Sequence, residues 1–301
     1  MLARRAPGRS LPIVPEGHIR IGGPLAIPEV LLHLGVEPGE VLASAGLDAS
    51  IFSDPDTPLP CTALGRLLSA CVARTNCRHF GLLVGAEGGP SSLGLVGLLI
   101  HGAADVGTAL RQTVLYLYLH LHLHDRGAVA VLSSQGDVAQ LTYAIYAPDM
   151  ESSDQIGEGA IAIAYNIIRS LCGAAWAPTA VLLASHCPAD VRPYRRFYRA
   201  PVRFDAPHNA LALPMKWLAQ PLPVTDPSLH LQLQDEVRYL DAIHRMSFAA
   251  KMRRTLRAAS ATARQWPGRA GPDPTSRDTR SRRRSEPEVD TQHAATERNV
   301  L

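Results

Sequence analysis

The stretch LYLYLHLHLH, Leu115 to His124, alternates strictly between a leucine and a tyrosine or histidine, and its reading decides the fold. Successive side chains of a β-strand point to opposite faces. Leu115, Leu117, Leu119, Leu121 and Leu123 would therefore share one face, and Tyr116, Tyr118, His120, His122 and His124 the other. The spacing predicts a strand with one apolar and one polar face. Asp125, Arg126 and Gly127 supply a turn, after which AVAVLSS (Ala128 to Ser134) and AQLTYAIY (Ala139 to Tyr146) read as two further strands joined near Gln135 to Asp137. Connections this short join antiparallel neighbours, so a meander is expected.

Upstream, the period is different. From Pro24 to about Leu115 apolar residues recur at helical spacing, as in Val30, Leu31, Leu34 and then Leu64, Leu67, Leu68, Cys71, Val72. Turns fall at Gly35 to Gly39 and across DPDTPLP, Asp54 to Pro60. Downstream, Ser152 or Ser153 can cap a long apolar helix, IGEGAIAIAYNIIRSLCG, that Gly173 ends. Ala180 to Ala184 reads as a strand, Val191 to Tyr198 as a short helix, and Val202 to Phe204 and Ala210 to Leu213 as short strands. The expected fold class is α+β: a helical N-terminal lobe packed with an antiparallel sheet covered by helices. Leu229 to Leu256 has helical composition. From about Ser260 the chain is rich in Arg, Pro, Ser, Thr and Asp and nearly free of aliphatic residues. Such a tail cannot offset roughly 1–2 kcal/mol of backbone entropy per residue, and disorder is expected there.

An apolar fraction of 46% over 301 residues is enough for a sizeable core. No apolar run approaches the roughly 18–20 residues of a membrane helix, and MLARRAPGRSLPIVPEG lacks the apolar segment of a secretory signal. A cytoplasmic protein is expected. The formal charge of +3 is too small to imply nucleic-acid binding by itself. Lysine occurs only at positions 216 and 251, so the basic charge is almost all arginine. Cys61, Cys71, Cys77, Cys172 and Cys187 form no C-x-x-C pair, which favours reduced, buried thiols over a metal or redox site.

Three features bear on chemistry. On a strand, His120, His122 and His124 would stand about 6.5–7 Å apart on one side. Two imidazoles could serve a metal, but a closed site needs three or four converging ligands; the plainer reading is a solvated or helix-covered polar face, and a third is the wall of a ligand site. Tyr116 and Tyr118 would share that face and could stack on a small organic molecule or pack at the sheet surface. RPYRRFYR, Arg192 to Arg199, suits either an amphipathic, partly solvated helix or contact with phosphates and bases. The Arg282, Arg283, Arg284 run would attract polyanions weakly and cannot read bases without a folded scaffold. No nucleophile elbow, phosphate loop, dinucleotide fingerprint or H-E-x-x-H is present, and the glycines between Gly85 and Gly89 lack the strand and helix a phosphate loop requires. Asp54 and Asp56, in a proline-rich turn, read as capping residues. No enzyme, catalytic residue, metal or cofactor is expected.

Several segments resemble one family. GLDASIFSDPDTPLP (Gly46 to Pro60), HFGLLVG (His79 to Gly85), SLGLVGLLIHGAADVGTAL (Ser92 to Leu110) and FYRAPVRFDAPHNALALPMKWLAQPLPVTDPSL (Phe197 to Leu229) resemble, in order and spacing, the arabinose-binding-like N-terminal domain of AraC-family transcriptional regulators. The resemblance implies a flexible N-terminus at 1–19, an effector-binding and dimerisation domain at 20–235, a linker helix at 236–258 and a tail at 259–301. It implies a small-molecule effector and a homodimer, with Tyr116, Tyr118, His120, His122 and His124 as the ligand-facing candidates. Such regulators continue with about a hundred residues of paired helix-turn-helix units. Here that region is missing, and the composition after Arg257 is what an out-of-frame reading of a GC-rich gene would give; a native tail in a shortened paralogue is the alternative. DNA binding, expected of the family, is thus doubtful for this chain. Three functions follow from the residues: an impaired transcription regulator, a free-standing ligand-binding or dimerisation module acting on full-length relatives, and a metal-dependent enzyme built on the histidine stripe.

Overall fold

The computed structural model describes residues 17–100, 102–120, 128–145, 151–223 and 235, with the side chains of 118–120 left aside. All of these fall in the first of two compact units, Met1–Lys251. The expectations for the linker helix at 236–258 and the tail at 259–301 lie outside the described residues, as do His122 and His124.

The helical lobe is built from short amphipathic pieces that punctuation separates. β1 (His18–Arg20) pairs antiparallel with β2 (Pro58–Pro60), so the described chain already enters the fold at His18, inside the stretch expected to be flexible. α1 (Ile27–His33) and α2 (Pro38–Ser44) both place a proline in the first turn, where the missing N–H costs nothing. α3 (Cys61–Thr75) ends at Asn76 in the left-handed conformation (φ 53°). α4 (Phe80–Ala86), α5 (Leu95–Ile100) and α6 (Val106–Val114) follow, the last capped by Asp105, whose Oδ1 accepts from the Thr108 N–H at 2.6 Å. Asp54 and Asp56 act as turn residues: Asp54 Oδ1 accepts from the Asp56 N–H at 2.9 Å, while Asp56 also pairs with the buried Arg20.

Residues 115–120 depart from the expected strand. α6 continues into a widened π-helical turn, Leu115–His120, with the Leu115 N–H still donating to the carbonyls of Arg111 and Gln112. Leucine is a strong helix former, and the alternation that favours a strand decides little when both sides of the segment meet apolar neighbours. Adjacent Tyr116 and Leu117 both pack against the same core, which strict alternation forbids. The tyrosine and histidine stripe is therefore not one face of a strand over these residues.

The sheet is made by the later strands. β3 (Ala128–Gln135) and β4 (Val138–Ile145) form a hairpin, closed at Gly136 with φ 56°. After α7 (Ser153–Cys172), which Gly173 stops as expected, come β5 (Ala180–Leu182), α8 (Arg192–Tyr198), β6 (Val202–Arg203) and β7 (Asn209–Pro214). The strand order is β3-β4-β7-β5-β6. β7 runs antiparallel between β4 and β5, with Leu211 opposite both Leu141 and Val181. β6 alone pairs parallel, to β5 through the α8 crossover. The fold class is α+β, as the sequence implies.

Two apolar clusters form the core. One joins α5, α6, α7 and the sheet around Tyr165, whose ring meets those of Trp176, Phe197 and Tyr198 at 5.0–5.4 Å. The other fills the helical lobe around Leu31, Leu67, Cys71 and Phe80. α4 and α7 bridge them at close range: a Cβ placed on Gly81 or Gly85 would run into the backbone of Gln155 or Gly159, so only glycine allows this spacing. No helix among the described residues is long and apolar enough to cross a membrane.

Candidate functional site

A cavity of about 130 Å³ lies where the two clusters meet. Ile19, Leu64 and Leu68 wall it from the helical lobe; Leu141, Tyr143 and Ala130 from the β3–β4 hairpin. α6 contributes Leu110, Thr113 and Val114, and the π-turn adds Leu117. The remaining wall is a strip of small residues on α4 and α7, among them Gly85, Gly159, Ala160 and Ala164. Each element arrives by a rule already met: glycines let α4 approach α7, and the continuation of α6 carries Leu117 to the rim.

Among the described residues of the wall, Thr113, Gln155 and Thr142 spend their side chains on hydrogen bonds within the fold. Thr113 Oγ1 donates to the Ala109 carbonyl at 2.8 Å. Gln155 Oε1 accepts from the Gly81 N–H at 2.8 Å while its Nε2 donates to the Arg78 carbonyl at 3.0 Å. Thr142 Oγ1 accepts from Gln140 Nε2 at 3.1 Å. What the cavity offers an occupant is apolar area and shape, and its volume is near that of apolar cavities, of about 150 Å³, that stay dry and take up benzene.

Of the residues singled out from sequence as ligand-facing, Tyr116 is described with its side chain, Tyr118 and His120 by their backbone alone, and His122 and His124 lie outside the described residues. Tyr116 is half-buried against the core, one position before Leu117. Tyr118 and His120 follow in the same π-turn. Among the described residues no three His, Cys, Asp or Glu side chains come together as a metal would require. Cys61, Cys71, Cys77 and Cys172 are buried and form no disulfide, with burial pushing the Cys71 thiol up to about 12 and Cys172 to about 11, and Cys187 is exposed and likewise outside any disulfide. α8 is the amphipathic, partly solvated helix that RPYRRFYR allows: Tyr194 and Tyr198 are buried while Arg192, Arg195 and Arg196 face out.

Sequence reasoning missed one buried polar group. Glu158, on the inward face of α7, is 2% exposed; its Oε1 accepts from Ser185 Oγ at 2.7 Å and its Oε2 from Tyr194 Oη at 2.8 Å. Burial raises its pKa to about 7, against the opposing pull of those two hydrogen bonds. Burial also raises the Tyr194 phenol and lowers the neighbouring His79. A lone acid inside GEGAIAIAYN was the available signal. With both oxygens hydrogen-bonded and only 2% of the residue exposed, this carboxyl ties α7 to α8 and to Ser185, three residues beyond β5.

Helices cover a largely antiparallel sheet, and an apolar cavity lies between the lobes. Residues 35–222 match the model of the arabinose-binding domain of AraC transcription regulators, N-terminal, and the chain belongs to that family. The fold is similar to that in the crystal structure of the transcriptional regulator CdpR from Pseudomonas aeruginosa, with a TM-score of 0.50 at 20% identity. That likeness covers 71% of this chain and 64% of the CdpR chain. Among curated proteins none matches the sequence.

Proposed function

We propose that this chain is the sensor half of an AraC-type regulator, taking a small apolar effector into the cavity between its two core clusters. The observation that carries the reading is the cavity's composition: apolar walls contributed by both lobes, with the polar side chains already hydrogen-bonded. An occupant of about benzene to toluene size would touch both clusters at once, and its binding energy would bias how the lobes meet. Tyr116, Tyr118 and His120 share the π-turn with the cavity-lining Leu117, and together with His122 and His124 they are the ligand-facing residues that would pass the change on. The role is non-catalytic, and the chain acts as a homodimer with impaired sequence-specific DNA binding; blocking full-length relatives through mixed dimers is the companion outcome.

Toluene is the first probe. It should raise the Tm of the wild-type chain in a saturable way, as any ligand that binds only the folded state does. Ala164→Leu, which puts a larger side chain into the small-residue wall, should abolish the response while leaving the circular dichroism spectrum unchanged. A folded wild-type protein whose Tm ignores toluene, or a variant that responds equally, would remove the cavity from the argument.

A further inference from the structure

A second concavity opens on the opposite side of α4 and α7. Where Gly81, Val84 and Gly85 of α4 face the apolar cavity, Leu82, Leu83 and Ala86 of the same helix floor this cleft. Its volume is about 770 Å³, within the roughly 300–1,000 Å³ of small-molecule sites. Four arginines line it: Arg169 from α7, Arg192 and Arg196 from α8, and Arg199 at the α8 C-cap.

Among the described residues, only one of the four is paired with a carboxylate. Asp190 accepts from Arg192 Nε and Nη2, both at 2.9 Å, a fork that holds the aspartate down to about 2. Arg169 Nη1 donates to Tyr165 Oη at 3.1 Å, a contact that fixes the guanidinium without cancelling its charge. Arg196 and Arg199 have no carboxylate within ion-pair reach among the described residues. Three guanidiniums with no carboxylate partner among the described residues line one apolar-floored hollow, where a single anion could meet all of them. Beside them Phe197 presents a half-buried ring, packed at 5.0 Å on that of Tyr165.

We propose that this cleft binds a small organic oxyanion, a carboxylate or phosphate on a flat apolar body, with Arg169, Arg196 and Arg199 on the charge and Phe197 and Leu83 on the body. Arginine forks match both oxyanions and stack on flat groups, which lysine does not. The concavity favours a small ligand over nucleic acid: Tyr194 and Tyr198, the aromatics that bases could stack on, are 1% and 0% exposed and belong to the core. Asn166 is not a further donor, since its amide is spent on the Ala86 and Gly88 carbonyls at 2.9 and 2.6 Å. The site is independent of the apolar cavity, though it shares two helices with it.

Calorimetric titration of the full chain at low salt tests the assignment, with phenyl phosphate and benzoate as probes and benzyl alcohol as the uncharged control. At least one of the two anions should bind while benzyl alcohol does not, and the double variant Arg169→Gln, Arg196→Gln should weaken it at least about tenfold, the order expected for lost charge-assisted bonds. Both positions are at the surface of the cleft, so an unchanged Tm of the double variant confirms that it is folded. Ala164→Leu should leave phenyl phosphate binding intact, which separates this site from the toluene response. The proposal is overturned if neither anion binds, if the double variant binds as wild type does, or if the arginines matter only for a random-sequence DNA duplex.

Discussion

Glu158 shows how one residue can make stability depend on pH. Its carboxyl is held above the ordinary 4.5, at about 7, because burial penalises the charged form more than Ser185 and Tyr194 favour it. A group whose folded pKa is raised holds its proton more tightly in the folded chain, so its contribution is fully present below about 4.5 and is lost as pH rises through about 7. At about 1.4 kcal/mol per pH unit the loss is on the order of 3 kcal/mol across that window. Glu158→Gln keeps an acceptor for Ser185 and cannot ionise. Urea midpoints measured from pH 5 to pH 8 should therefore fall for wild type relative to the variant. The comparison also cancels His79, whose depressed pKa acts in the opposite sense in both proteins. Parallel curves would mean that Glu158 is as ionised in the folded chain as in the unfolded one.

Between elements the decisive quantity is distance, and glycine sets it. Gly85→Ala would drive a methyl into the Gly159 backbone and the Ala162 side chain, so α4 must lift from α7; overpacking of this kind costs about 1–3 kcal/mol. Gly39→Ala in α2 is the control, for there the nearest heavy atom to the new Cβ is the end of the Glu37 side chain at 3.8 Å. It should be neutral or stabilise by up to about 1 kcal/mol through helix propensity. Chemical denaturation of the two variants decides between close approach and a general intolerance of larger residues. The elements were readable where local chemistry rules: α7 from its apolar run and Gly173, the hairpin of β3 and β4 from their alternation, α8 from RPYRRFYR. The π-turn at Leu115–His120 was not, because alternation competes with leucine's helix propensity and tertiary contacts settle the contest. Nor was the place of β7 between β4 and β5, a pairing across some seventy residues that no local pattern records. The candidate site was the least legible part, since its walls come from Ile19 to Ile167 and are small or aliphatic residues that look like ordinary core.

For the molecule as a whole, the question is whether the two clusters behave as one cooperative body, as a sensor with its ligand site at their seam requires. Trp176, 1% exposed, belongs to the sheet-side cluster, and Cys61, Cys71 and Cys77 to the helical one. The other two cysteines, Cys172 and the exposed Cys187, can be replaced by Ala and Ser to leave thiols in one cluster only. In that background, with Trp217 and Trp266 replaced by Phe, the emission of the buried Trp176 and the protection of the remaining thiols against a chromogenic disulfide reagent report on opposite sides of the cavity. The α4–α7 contact and the shared cavity wall predict coincident loss of both signals in urea, the mark of a single transition. Toluene should then move both midpoints upward by the same amount, because a ligand at the seam stabilises only the state in which the lobes meet. Separate transitions, or a toluene shift confined to one probe, would show that the cavity serves one lobe alone, and the proposed effector response would have to bypass the seam.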